Sequence, residues 1–144
     1  MPQFTAYLSF DGTCADAMRF YEKALGGRLE ALLTNGQTPA AGELPPGNED
    51  RIMHAYLVFD GGVLMAGDSV VGWPHEKMQG FNLTISYEKT DDAKRVFESL
   101  SDGGQVKMEW QKTFWAEGFG MLTDRFGTPW IVNGASMNLQ MEGN

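Results

Sequence analysis

Alternating apolar and polar residues predict a strand near the start of each half of the chain. Apolar residues occupy every second position in 4–10, and the same period returns in 81–87. A period of two is typical of a strand that buries one face. The other strand-like runs are 29–33, 53–59, 63–66, 105–110, 115–124 and 128–133.

A helical pattern follows the first strand of each half. The segments 13–27 (TCADAMRFYEKALGG) and 89–104 (KTDDAKRVFESLSDGG) match one another at a fixed offset. Their apolar residues recur every three or four positions, which predicts a helix in each. Thr13 and Thr90 are plausible N-caps, and a pair of glycines ends each helix. The sequence therefore predicts the order β-α-β-β-β in each half of the chain.

The duplication predicts an α+β fold in which tandem βαβββ modules form curved mixed sheets around a cleft, with the helices outside. We expect one domain with modules at about 3–68 and 80–134, joined by a connector at 68–80. The tail from Gly134 is polar and expected to be loose. The residues expected on the concave side are Thr5, Tyr7, Ser9, Asn82, Thr84 and Ser86.

The segment 35–50 lacks periodicity and is rich in glycine, proline and glutamate. A stretch of this length inside a compact domain is either a functional loop or disordered. Both alternatives remain open from the sequence, and the functional alternative makes 35–50 a lid over the cleft.

Charge and composition narrow the classes of partner. The chain has 144 residues and a formal net charge of -8, which argues against nucleic acid or an anionic membrane as the main partner, since both favour basic surfaces. No apolar run is long enough to span a bilayer and no signal peptide is visible, so we expect a cytoplasmic protein. The single cysteine, Cys14, excludes an internal disulfide and is interpreted as a small buried residue.

Motifs distributed over about 3–134 resemble a known superfamily. The segments YLSFDG, RFYEKALGG, IMHAYLVFDGGVLMAGD and GFGMLTDRFGTPWIVN are similar to the glyoxalase/bleomycin-resistance/dioxygenase (vicinal oxygen chelate) superfamily. Within it they resemble the PhnB-like branch, which also carries a 3-demethylubiquinone-9 3-methyltransferase label. The resemblance implies the tandem fold and a homodimer. A methyltransferase would need a glycine-rich loop that opens a helix, and the sequence has none, so that activity lacks support.

The resemblance also locates the metal-binding positions of the superfamily's metal-dependent members. They correspond to Thr5, Met65 and Asn82, with either Trp130 or Ile131 as the fourth, depending on the register of the last strand. None is a good ligand for a catalytic divalent ion, because neutral hydroxyl and amide groups bind weakly and a thioether suits only soft ions. We therefore expect no cofactor, and a metal at these positions is disfavoured.

Two functional hypotheses follow. The first is a metal-free protein that holds a small hydrophobic or aromatic molecule in the cleft. Its candidate ligand-binding residues are Thr5, Tyr7, Met65, Asn82, Trp115 and Trp130. The aromatic residues expected to cluster are Trp110, Trp115, Phe119, Phe126 and Trp130, with Tyr7 nearby.

The alternative hypothesis is an enzyme of the superfamily, namely a lyase, isomerase or dioxygenase. It would use His54 or Asp68 as an acid or base, or a relocated divalent metal. A lone histidine on a strand is more often a structural, hydrogen-bonded residue than a base. His54 is nevertheless the first candidate for proton transfer, because its predicted strand should flank the cleft. Asp68 matches an acidic position of the PhnB-like pattern and could instead cap a turn. Asp124 is interpreted as a turn residue. Neither the ligand nor the presence of catalysis follows from the sequence.

Overall fold

The computed structural model describes residues 1–137, and the C-terminal residues 138–144 lie outside that part. The chain divides into two compact units, Met1–Glu76 and the residues from Lys77 on. Each unit has one α-helix and one four-stranded sheet of mixed direction. The predicted α+β fold of two βαβββ modules is confirmed.

The first unit contains four strands and one helix in the predicted order. They are β1 (Ala6–Phe10), α1 (Cys14–Leu25), β2 (Arg28–Thr34), β3 (Ile52–Phe59) and β4 (Gly62–Asp68). The strand order across the sheet is β1-β4-β3-β2, with β1 parallel to β4 and the other pairs antiparallel. This arrangement brings the first and last strands of the module side by side.

Alternation decides which face of the first sheet is buried against α1. Leu8 and Phe10 on β1 are buried, whereas Tyr7 and Ser9 are exposed. Other core residues of this unit include Cys14, Ala17, Met18, Tyr21, Ala55, Leu57, Leu64 and Ala66. The side chains at the intervening positions lie on the opposite face of the sheet, which we call the helix-free face of the unit.

The second unit repeats this plan. Its elements are β5 (Leu83–Tyr87), α2 (Thr90–Ser101), β6 (Gln105–Gln111), β7 (Ala116–Thr123) and β8 (Pro129–Ser136). The strand order is β5-β8-β7-β6, with β5 parallel to β8. On β7 and β8, glycines let the helix side pack closely: a Cβ on Gly120 would lie 2.4 Å from the Phe97 ring, and one on Gly134 would lie 2.9 Å from Ala93 Cβ.

Three local expectations need correction. Strand β8 continues to Ser136, so the loose tail does not begin at Gly134 as expected; the rest of that predicted tail, 138–144, lies outside the described residues. Thr13 is the N-cap of α1, but its side chain makes no capping hydrogen bond. Thr90 is the first residue of α2 and Lys89 precedes it as the N-cap. The helices therefore begin near the predicted residues without the predicted cap chemistry.

The segment 35–50 is structured. It contains the 3₁₀ turns Asn35–Gln37 and Pro39–Glu43. Asn48 is buried, donates from Nδ2 to the Pro45 carbonyl and accepts from Val71 N–H at 2.8 Å. These hydrogen bonds favour an ordered loop over the disordered alternative. Closure of 35–50 over a ligand stays a prediction.

Neither α-helix in residues 1–137 combines the length and apolar character needed to cross a membrane.

Candidate functional site

The helix-free face of the first unit carries a row of large side chains across three strands. Tyr7 on β1 lies opposite Met65 on β4, and Met65 lies opposite Tyr56 on β3. Tyr7 is 52% exposed, and Leu33 on β2 is 42% exposed. A face with this composition offers a flat apolar ligand both ring and thioether contacts.

Gly67 explains how Tyr7 reaches across the sheet. The Tyr7 hydroxyl donates to the carbonyl oxygen of Met53 on β3, at 3.1 Å. A Cβ at Gly67 would lie 2.8 Å from that hydroxyl oxygen and 2.9 Å from the Met53 carbonyl oxygen. Only a residue without a side chain therefore leaves room for the Tyr7 ring to lie over β4. Burial, and then the nearby Cys14 thiol, raise the pKa of Tyr7, so the phenol is protonated and serves as a donor at neutral pH.

His54 lies beside this aromatic row. It is opposite Leu33 in the β2–β3 pairing. Its ring stacks with Tyr7 at a centroid separation of 6.0 Å and an interplanar angle of 24°, and lies 6.3 Å from the Tyr56 ring. We call the group Tyr7, His54, Tyr56, Met65, Leu33 and Gly67 the Tyr7 face. It brings together three sequence-predicted site residues, Tyr7, His54 and Met65.

Asp68 has a structural environment. Its Oδ1 accepts hydrogen bonds from the backbone N–H groups of Gly12 and Cys14, at 2.9 and 3.0 Å, and its Oδ2 accepts one from Ile52 N–H at 2.8 Å. The carboxylate thus joins the β1–α1 turn to the start of β3. These contacts favour the turn-capping alternative over a role for Asp68 in proton transfer.

Cys14 is fully buried at the start of α1. Burial, and secondarily the Asp68 charge, raise the pKa of its thiol to about 12. A thiol with so high a pKa is almost entirely protonated near neutral pH, so Cys14 is not poised as a nucleophile.

On the helix-free face, the edge strand β5 of the second unit is more polar than the edge strand β1 of the first unit, which has Tyr7 there. Thr84 and Ser86 on β5 lie opposite Ile131 and Asn133 on β8. This register resolves the alternatives for the fourth inherited metal position, because Ile131 lies on the same face as Thr84. Asn82 lies just before β5 and is exposed.

Trp130 does not lie where the ligand hypothesis expected it. It is 3% exposed, pairs with Leu122, and follows the helix-facing alternation of β8 together with Val132. Its indole N–H donates to Asp124 Oδ2 at 2.8 Å. We therefore assign Trp130 to the core of the second unit and remove it from the candidate ligand contacts.

Asp124 has the turn role expected for it. Its Oδ1 accepts from the N–H groups of Phe126 and Thr128.

The remaining aromatic residues of the second unit separate onto the two faces of its sheet. Trp110 packs near Phe97 at 5.3 Å on the helix side, whereas half-buried Trp115 meets Phe119 edge-on at 5.1 Å. The single aromatic cluster expected in the last third is thus divided by the sheet.

A surface groove that the sequence did not reveal lies at one end of the second sheet. Its volume is about 570 Å³. Its lining residues are Ser86, Tyr87, Glu88, Glu117, Ala135, Ser136 and Met137. Glu117 already accepts a hydrogen bond from the Thr90 hydroxyl at 3.2 Å. Burial, followed by the charge of Asp92, raises the pKa of Tyr87.

The inherited metal positions do not fit a catalytic divalent ion. They hold a hydroxyl, a thioether, an amide and an aliphatic side chain at Thr5, Met65, Asn82 and Ile131, so no carboxylate or imidazole is available from them. Within residues 1–137, no group of three or more His, Cys, Asp or Glu side chains is placed to hold a metal.

Tyr56 and Gly67 belong to the Tyr7 face but were not among the predicted site residues. The alternation of β3 puts Tyr56 on the same face as His54, and that signal was present in the sequence. The need for Gly67 depends on a tyrosine from another strand, so no local pattern could have revealed it.

Comparisons with known proteins agree with this fold and these motifs. Residues 3–132 match the family model of the Glyoxalase/Bleomycin resistance protein/Dioxygenase superfamily. The chain therefore belongs to that superfamily.

Two relatives match nearly the full chain. Protein YjdN of Escherichia coli (strain K12) is 36% identical over 137 residues, covering 88% of this chain and 91% of YjdN. The crystal structure of protein PA1353 from Pseudomonas aeruginosa is 40% identical, with a TM-score of 0.87, and covers 96% of this chain and 100% of PA1353.

A second solved structure confirms the likeness to the PhnB-like fold. It is a putative 3-demethylubiquinone-9 3-methyltransferase, PhnB protein, from Bacillus cereus. The two chains share 24% identity and a TM-score of 0.76, over 93% of this chain and 100% of the other. At this identity the match shows the fold alone, and the methyltransferase description belongs to the Bacillus protein.

Proposed function

We propose that this protein binds a small aromatic or amphipathic molecule and does so without the metal of the superfamily's metal-dependent members. The observation that carries the proposal is the Tyr7 face. There, a half-exposed tyrosine stacks against His54 beside Tyr56 and Met65 on a sheet face that no helix of its unit covers.

The contacts on the Tyr7 face favour an aromatic or apolar ligand over a charged one. Rings and a thioether offer dispersion and edge-to-face contacts, which suit an aromatic or apolar skeleton. The Tyr7 hydroxyl is engaged with the Met53 carbonyl, so the ring surface remains as the contact it offers. His54 supplies the polar group that can fix the ligand's orientation.

Mass spectrometry of small molecules retained by protein taken directly from its host cell tests the proposal. We expect a molecule with an aromatic or apolar skeleton to remain with the wild type and to be lost from Tyr7→Ala. Phe4→Ala is the matched control, because Phe4 is a fully exposed aromatic residue of the same unit. Equal retention by Tyr7→Ala and Phe4→Ala would refute binding at the Tyr7 face.

A catalytic role is the second candidate, and the position of His54 favours it. The imidazole lies in the Tyr7 face, where it can reach a bound molecule and transfer a proton. Under this hypothesis His54→Ala abolishes turnover, whereas a purely structural ring leaves turnover intact. Stoichiometric Zn, Ni, Mn or Fe in protein purified without a chelator would favour the relocated-metal form of this hypothesis.

Assembly as a homodimer is also part of the proposal and stays a prediction. Sedimentation of the full chain is the direct measurement.

A further inference from the structure

Asn133 contains a buried polar atom that no protein group satisfies. Among residues 1–137, its Oδ1 is buried and has no hydrogen-bond partner, while its Nδ2 donates to the Ser86 hydroxyl at 3.4 Å. Buried polar groups in folded proteins are nearly always paired, so an unpaired one calls for an explanation. If the side-chain amide of Asn133 were flipped, its nitrogen would lie at the buried position instead of its oxygen. In either orientation one polar atom of the amide has no protein hydrogen-bond partner within residues 1–137.

The surroundings of the amide combine a hydroxyl with aromatic rings. Asn133 lies on the helix-free face of the second unit, opposite Ser86 on one side and Phe119 on the other. Trp115 packs edge-on against Phe119. The 3.4 Å bond to Ser86 is long and therefore weak, so the amide can turn toward an incoming group at little cost.

The first unit shows that the fold does not require an amide at this position. Ser9 lies opposite Gly67 in the β1–β4 pairing, as Ser86 lies opposite Asn133 in the β5–β8 pairing. Gly67 and Asn133 are therefore structurally equivalent. In the first unit the Tyr7 ring lies over this glycine, whereas the second unit has Thr84 in the place of Tyr7. The same sheet therefore forms without an amide when a ring covers the position.

We propose that Asn133 is a recognition residue whose side-chain oxygen accepts a hydrogen bond from the hydroxyl or N–H group of a small ring-containing molecule. The ring of this molecule lies against the half-buried Trp115, which packs edge-on against the buried Phe119. The site lies within the second unit, and its argument does not use the Tyr7 face. The ligand supplies a donor that no protein group within residues 1–137 supplies.

Phenol and anisole provide a matched pair of probes, because they share a ring and only phenol has a donor. We expect NMR titrations of the full chain to show phenol shifting the side-chain amide resonances of Asn133 and binding about tenfold more tightly than anisole. Asn133→Leu keeps the branched side chain and its number of heavy atoms without the polar groups, and it should bind the two probes equally. Thr84→Val changes another residue of the same face and should keep the discrimination.

Stability separates a recognition role from a structural one. Asn133→Leu removes the unpaired oxygen, so we expect its urea midpoint to rise above that of the wild type. A lower midpoint would show that the amide supports the fold and would overturn the proposal. Equal binding of the two probes by the wild type, or no response at Asn133 to either, would also overturn it. Tyr7→Ala should leave the phenol response of Asn133 unchanged, so failure here is distinguishable from failure of the Tyr7 face.

Discussion

The two units hold their helices on their sheets through different interactions. Asp68 in the first unit and Gly134 in the second occupy equivalent places, opposite Phe10 and Tyr87 respectively. Asp68 holds the start of α1 through hydrogen bonds to backbone N–H groups. Gly134 instead lets α2 approach the sheet, because a Cβ there would lie 2.9 Å from the Cα of Thr90.

Equivalent positions in two copies of a fold can therefore stabilise the helix by different interactions. A carboxylate that satisfies orphan N–H groups and a missing side chain that permits close packing both fix a helix on its sheet. The same divergence appears on the helix-free faces, where the first unit has Gly67 beneath Tyr7 and the second has Asn133 beside Ser86. Stability measurements can test how the helices are anchored. Ligand-binding measurements can test the helix-free faces.

The largest effect is expected at Trp130, which lies opposite Leu83 as Leu64 lies opposite Ala6. Trp130→Ala should lower the free energy of unfolding by roughly 3–5 kcal/mol, because it opens a cavity and removes the indole donor to Asp124. Leu64→Ala is the matched change in the first unit and removes only apolar contacts. Urea unfolding measures both variants, and a loss no larger than that of Leu64→Ala would contradict the assigned role of the Trp130–Asp124 pair.

Trp130 also shows why periodicity alone could not predict which residues of the last strand face the helix. The helices and the first strand of each unit follow from periodicity, because one of their faces is polar. The last strand has Trp130, Ile131 and Val132 in succession, and with adjacent large apolar residues a one-residue shift of register leaves the pattern almost unchanged. Pairing with β5, which is distant in sequence, decides which of them faces α2.

The candidate site followed from the sequence only in part. Tyr7 was predictable from the alternation of its strand. Met65 followed only from the family resemblance, because Val63 to Ala66 are consecutive apolar residues without alternation. The lean of Tyr7 over Gly67 and the lack of a partner for Asn133 depend on neighbouring strands that are distant in sequence. The role of Asp68 likewise depends on backbone N–H groups more than fifty positions away, so its identity alone left the catalytic and capping alternatives open.

A smaller loss is expected from Asp68→Ala. It removes the acceptor of three backbone N–H groups, and we expect the free energy of unfolding to fall by roughly 2–4 kcal/mol. Asp68→Asn keeps one acceptor oxygen and should cost less. Hydrogen exchange at Gly12 and Cys14 should accelerate in Asp68→Ala, whereas an unchanged rate would mean that the carboxylate does not anchor α1.

Gly134→Ala tests the other mode of anchoring. The new methyl group would press against Ala93 and the backbone of Thr90, so we expect a loss of roughly 1–3 kcal/mol in urea unfolding. Gly42→Ala is the control, since a Cβ there meets nothing within 4 Å. If the two variants are equally stable, α2 does not depend on close approach at Gly134.

The effect that is smallest near neutral pH concerns the first residue of each helix, where α1 has Cys14 and α2 has Thr90. Folding raises the pKa of the Cys14 thiol from 9.0 to about 12. The unfolded chain therefore releases this proton at lower pH than the folded one. The thiol's contribution to stability is fully present below pH 9 and is lost as the pH rises toward 12.

Unfolding free energies of the wild type and Cys14→Ala, measured from pH 7 to 11, isolate this contribution. We expect a constant difference between them below pH 9 and a progressive loss of wild-type stability relative to the variant above it. Thr90→Ala is the control in the second unit and should differ from the wild type by an amount that does not depend on pH, because a hydroxyl does not titrate in this range. A wild-type profile parallel to that of Cys14→Ala up to pH 11 would mean that the start of α1 is open enough to hydrate the thiolate. In that case the two helices would begin in similar environments, and the difference in burial between Cys14 and Thr90 would not matter for stability.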